Sequence, residues 1–67
     1  MIDLVALQSL LRIAELGTVG AAADSLGYTP SAVSQQVKRL ERELGVGLLE
    51  RVGRGVVLTE RGRQLVT

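Results

Sequence analysis

Up to Leu44 the apolar residues of this chain return every three or four positions, and beyond it they come in short consecutive runs. The first spacing is that of a helix face turned to a core, and the second that of short strands. Asp3 stands where a helix cap is needed, and Leu7, Leu10, Leu11 and Ala14 follow at i, i+3, i+4, i+7 spacing. A first helix is therefore predicted from Asp3 to about Leu16, with these four residues buried. Gly17 ends it, and Thr18 caps a short second helix over Val19–Leu26 whose apolar stripe is Val19, Ala22, Ala23 and Leu26. Gly27 closes that helix in turn. Thr29-Pro30 then opens a third helix, because threonine caps and proline at the first helical position has no N–H to lose. It is predicted over Pro30–Leu44, with Val33, Val37, Leu40 and Leu44 on its apolar side.

After Gly45 the period changes. Leu48–Val52 and Val56–Leu58 are β-prone and flank Gly53-Arg54-Gly55, which predicts a two-stranded hairpin, or wing, centred on 52–56. Thr59 caps a last helix from Glu60 onward. The order α-α-α-β-β-α describes a mainly α, winged helix-turn-helix fold occupying 1–58, with a further helix beginning over 59–67. One domain is all that 67 residues allow.

Composition removes most other functions. The chain has neither cysteine nor histidine, and Tyr28 is its only aromatic residue, so the core is expected to be aliphatic. Disulfides and the usual zinc ligands are absent, as are the residues of a Ser-His or Cys-His pair. Glu41 and Glu43 fall on different helix faces and do not make a carboxylate pair. No enzyme, metal or cofactor is expected. The opening Met1-Ile2-Asp3-Leu4 carries an acid where a secretory signal has basic residues, and no apolar run approaches the roughly 18 residues of a membrane span. The expectation is a cytoplasmic protein that does not enter the membrane.

Net charge is only +1, but it is unevenly placed. Through Ser34 there is one arginine against three acids, a net of −2; from Gln35 onward seven basic residues face four acids, a net of +3. The binding face is thus sought in the second half. On the third helix the side opposite Val33 and Val37 carries Ser31, Ser34, Gln35, Lys38 and Arg42. Small polar residues near the N-terminus let a helix enter the major groove of DNA, Gln can bond a base edge, and Lys or Arg reach phosphates. Ala22, Ala23 and Gly27 permit the close approach that the Gly27-Tyr28-Thr29 turn forces on the two helices. Arg54 stands between two glycines at the wing tip, where a slim loop can offer a cation to a narrow minor groove. Thr18 and Thr29 are expected to cap their helices, and Thr18 to touch a phosphate. Arg51 is expected to pair with Glu41. Double-stranded DNA is the partner these features indicate; the competing reading is a winged helix used as a protein-interaction module.

The runs Ala21-Ala22-Ala23-Asp24-Ser25-Leu26, Thr29-Pro30-Ser31-Ala32-Val33-Ser34 and Leu40-Glu41-Arg42-Glu43-Leu44-Gly45 resemble the N-terminal domain of LysR-type transcriptional regulators. So do Leu48-Leu49-Glu50-Arg51, Arg54-Gly55 and Leu58-Thr59-Glu60-Arg61-Gly62, and the likeness extends from Leu4 to Gly62. The sequence departs from that pattern at Leu49, where Phe is usual, at Pro30, where Gln is frequent, and at Gly20 and Arg61. The resemblance implies sequence-specific DNA binding, with Pro30 beside Ser31, Ser34 and Gln35 at the groove. It also implies a homodimer or homotetramer joined through a long linker helix, of which 59–67 would be the first turns. A small-molecule effector would bind a C-terminal domain absent from this sequence.

Overall fold

The computed structural model describes residues 3–66. Met1, Ile2 and Thr67, which the sequence assigns to the ends of the domain and of the last helix, lie outside the described residues. The elements are α1 (Leu4–Leu16), α2 (Val19–Leu26), α3 (Pro30–Leu44), β1 (Leu49–Val52), β2 (Gly55–Leu58) and α4 (Glu60–Val66). Each boundary has a local cause. The side chains of Asp3, Thr18 and Thr29 accept the N–H groups of Val5, Ala21 and Ala32, which have no partner within their helices. At the other ends Gly17, Gly27 and Gly45 turn the chain out through the left-handed region. Gly27 is held there, at φ +76°, while Tyr28 N–H reaches back 2.9 Å to the Ala23 carbonyl. That closes a three-residue turn between α2 and α3.

Leu10 and Ile13 of α1, Ala22 and Ala23 of α2, and Val33, Val37 and Leu40 of α3 meet in one core, sealed from below by Leu48 and Leu58. A buried side chain of Leu or Ile size contributes about 1.5–3 kcal/mol by leaving water. The two alanines contribute less themselves but let α2 sit close against both neighbours. The predicted inner face of α1 is rotated relative to the observed one: Ala6, Ser9, Leu10 and Ile13 are buried, whereas Leu11 is 43% exposed and Ala14 lies outside. Leu44, expected in the core, is 37% exposed at the end of α3. There it lines an open groove with Leu48 and Leu65 instead of entering the helical core.

The two strands pair antiparallel, Leu49 with Leu58 and Val52 with Gly55, so only Gly53 and Arg54 form the hairpin loop. Gly53 at φ +59° followed by a residue of negative φ is the type II′ pattern, whose twist suits two paired strands. Leu48 precedes the strand rather than opening it and is wholly buried. Among the described residues no helix is long and apolar enough to cross a membrane.

Gly20 offers a simple check on the helix it belongs to. It lies in the first turn of α2 without positive φ, and a Cβ there would meet nothing within 4 Å. Alanine would restrict the unfolded chain at no cost in the folded one. Gly20→Ala should therefore raise stability by about 0.4–1 kcal/mol, read as a higher denaturant midpoint with unchanged slope.

Candidate nucleic-acid interface

The face of α3 that the bundle leaves uncovered runs along most of the helix. Val33, Val37 and Leu40 take one side into the core. The helical period then carries Ser31, Gln35, Lys38 and Arg42 to the opposite side, where all four are exposed. Ser34 is half-buried at the margin, and Arg39, one turn beyond Gln35, is exposed alongside it. Thr29 and Pro30 are exposed at the end that leads this face. The gradient along it, small hydroxyls first, then an amide, then cations, is the one the sequence predicts. Arg39 is an addition to the predicted set, although its i+4 relation to Gln35 is visible in the sequence.

The wing does not stand beside α3 alone. Its inner strand, β2, is fastened to the α1–α2 turn: Val56 N–H donates to the Gly17 carbonyl at 2.9 Å. At Gly55 a Cβ would come within 2.7 Å of that same oxygen, so only glycine lets the strand approach. As a result the hairpin tip faces the beginning of α2. Thr18, Gly20, Arg51 and Arg54 line one groove there of about 270 Å³. Both arginines are exposed, as is Thr18. The Thr18 oxygen accepts from Ala21 N–H, leaving its hydroxyl hydrogen free to donate outward.

The expected Arg51–Glu41 ion pair does not form. The Glu41 carboxylate instead accepts the N–H of Leu48 at 2.8 Å, in the loop that leads from α3 into the wing. A half-buried backbone N–H there needs an acceptor, and a carboxylate fixed one turn before the helix end supplies it. Arg51 is left to the groove. The two residues should therefore answer differently to alanine. Glu41→Ala strands the Leu48 N–H and should cost about 1–3 kcal/mol of stability. Arg51→Ala should stay within about 0.5 kcal/mol, as surface changes usually do. Parallel denaturant melts decide the matter, and equal losses would restore the ion pair.

The remaining contacts tie α4 to the same loop. Thr59 accepts the Gly62 N–H through its side chain and donates its hydroxyl to the Gly47 carbonyl at 2.7 Å, while its own N–H reaches the Leu48 carbonyl at 2.9 Å.

Residues 4–63 match the family of bacterial regulatory helix-turn-helix proteins described as the lysR family. The chain belongs to the LysR family. It is 48% identical over 64 residues to the HTH-type transcriptional regulator y4mQ of Sinorhizobium fredii, covering 96% of this chain and 22% of that protein. The chain thus spans about a fifth of that relative's length. Two solved LysR-family relatives are DNA complexes by description. The CbnR DNA-binding domain on DNA superposes with a TM-score of 0.89 at 36% identity, covering 96% of this chain and 74% of that one. The BenM DNA-binding domain on benA site 1 DNA gives 0.88 at 34% identity, covering 96% and 72%.

Within this LysR-family fold the structure brings together two sets of the residues singled out in the sequence. Ser31, Gln35, Lys38 and Arg42 share the face of α3, and Thr18 shares the wing groove with Arg54. Arg51 joins the second set, because the acid expected to hold it is engaged elsewhere.

Proposed function

We propose that this chain is the DNA-binding domain of a LysR-type transcriptional regulator, holding double-stranded DNA with α3 in the major groove and the wing at the minor groove. The observation that carries this reading is the uncovered face of α3, polar and short-chained at its leading end and cationic behind. An ordinary solvated helix face has no reason to put Ser31, Ser34 and Gln35 where long charged helix formers would do better. In this reading Ser31, Ser34 and Gln35 meet base edges, with Thr29 and Pro30 at the entering end, and Lys38 and Arg42 hold phosphates. Thr18 donates to a phosphate near the start of α2. Arg54 enters the minor groove from the wing tip, with Arg51 on the backbone beside it. The solved relatives described as DNA complexes support DNA as the partner.

The chain catalyses nothing in this account; its matched relatives are regulators, and the sequence holds no histidine or cysteine to pair with a nucleophile. Residues 1–58 form the binding domain and the helix from 59 onward begins a linker. The whole protein is then a cytoplasmic homodimer or homotetramer whose C-terminal part binds a small-molecule effector.

A titration of the chain on mixed-sequence duplex DNA at several salt concentrations tests the reading. Affinity should fall linearly with salt on logarithmic axes, losing about 0.9 in slope for each phosphate neutralised. Arg54→Ala should flatten that slope by about 0.9 while leaving the melting midpoint unchanged. Absence of binding at low salt would favour the protein-interaction reading instead.

A further inference from the structure

Ser9 is the one fully buried polar side chain among the described residues. Its hydroxyl does not turn back to the carbonyl one helical turn earlier, as serines in helices often do. It donates across the α1–α3 interface to Oε1 of Gln36. Ser9 lies on the buried face of α1 with Ala6, Leu10 and Ile13. Gln36 stands three residues after Val33 and four before Leu40, half-buried at the edge of the face that α3 gives to the core.

We infer that Ser9 and Gln36 are a positioning pair that fixes the rotation of α3 about its own axis, and thereby the direction in which Gln35 and Ser31 meet the DNA. This rests on the reading of α3 as the groove helix. Around the pair, α1 and α3 touch through Leu10, Ile13, Val33, Val37 and Leu40, and such apolar contact is non-directional. At a helix radius of about 5–6 Å, a 10° roll moves a surface atom by roughly 1 Å. Base readout tolerates about 0.5 Å and 10–20°. Aliphatic packing alone is therefore too permissive. The Ser9 hydroxyl is wholly buried and has no solvent to exchange for the half-buried Gln36 amide, so the bond favours one rotation. Alanine at position 9 would fill nearly the same space without burying a hydroxyl, so the serine is unnecessary for packing. Gln36 is the next residue after Gln35, which puts the pin beside the side chain that reads.

The test uses the 67-residue chain and a duplex that the unaltered chain enriches from a randomised library. Affinity for it is compared with that for mixed-sequence duplex at matched folded fraction. Ser9→Ala and Gln36→Met should each lower discrimination between the two duplexes about tenfold. Each should also lower stability, since removing one side of the hydrogen bond leaves the other polar group unpaired. The double variant Ser9→Ala/Gln36→Met removes both polar groups. It should recover stability, yet keep the tenfold loss of discrimination. A pair that served structure alone would recover both together, and that result overturns the inference. Discrimination within twofold of the unaltered chain in all three variants does the same, with the reading of α3 intact. A library in which nothing is enriched overturns the groove-helix reading itself, and the positioning pair with it.

Discussion

Replacing Gly55 by alanine should unseat the wing and cost about 2–4 kcal/mol of folding stability. The added Cβ would lie 2.7 Å from the Gly17 carbonyl oxygen. That oxygen is main chain, and it is the acceptor for Val56 N–H. It cannot retreat without giving up the bond that holds the strand. Overpacking of this kind costs about 1–3 kcal/mol, and breaking the hydrogen bond adds about 1 kcal/mol. At about 0.05–0.15 kcal/mol per residue, a domain of this size has roughly 3–10 kcal/mol in total. The loss is then a large part of what there is. Gly20→Ala is the internal control, since the same chemical change in open space is expected to stabilise. A Gly55→Ala midpoint equal to that of the unaltered chain would mean that the wing does not rest on the α1–α2 turn.

Element boundaries are the most legible part of the fold, because they depend on local chemistry. Asp3, Thr18 and Thr29 cap, and Gly17, Gly27 and Gly45 terminate, where the sequence places them. The face of α1 is harder. Leucines at 4, 7, 10, 11 and 16 surround the helix, so period alone cannot choose among them. The true inner stripe contains a serine, which looks polar until its partner 27 residues away is known. Glu41 escapes the sequence for a related reason. Opposite charges suggest Arg51, but the stronger demand comes from a backbone N–H whose burial depends on the fold of the loop. Arg51 and the groove it shares with Thr18 follow from the anchoring of the wing to Gly17, a contact between segments about forty residues apart that no spacing rule reveals. The face of α3 is legible because both its buried and exposed sides lie within one helix.

Gln35→Ala should weaken binding to the preferred duplex by about 1–3 kcal/mol, or roughly 5- to 150-fold. Gln35 is exposed on α3, away from the side that enters the core, so the melting midpoint should not move. A glutamine amide can donate and accept at once, matching the paired donor and acceptor on the major-groove edge of adenine. Losing it leaves those base groups without a partner only on the right sequence. Affinity for mixed-sequence duplex should accordingly change little, and its salt slope should not change. Lys38→Ala should show the complementary pattern, with similar weakening on both duplexes. Equal losses for Gln35→Ala on the two duplexes would remove it from the base-reading set.

The backbone of Leu48 is gripped on both sides. Its N–H is held by Glu41 of α3 and its carbonyl by the N–H of Thr59, the residue just before α4. The α-carbon of Gly62 is packed so tightly against that carbonyl that a Cβ would fall 2.5 Å from it. Mechanically this is a weld rather than a hinge. A rotation of α4 relative to α3 would have to break one of these contacts at Leu48. Two such domains held by their α4 helices would present their α3 helices at a fixed separation and angle. The spacing of the DNA sites they could occupy together would then be dictated by the geometry of that joint.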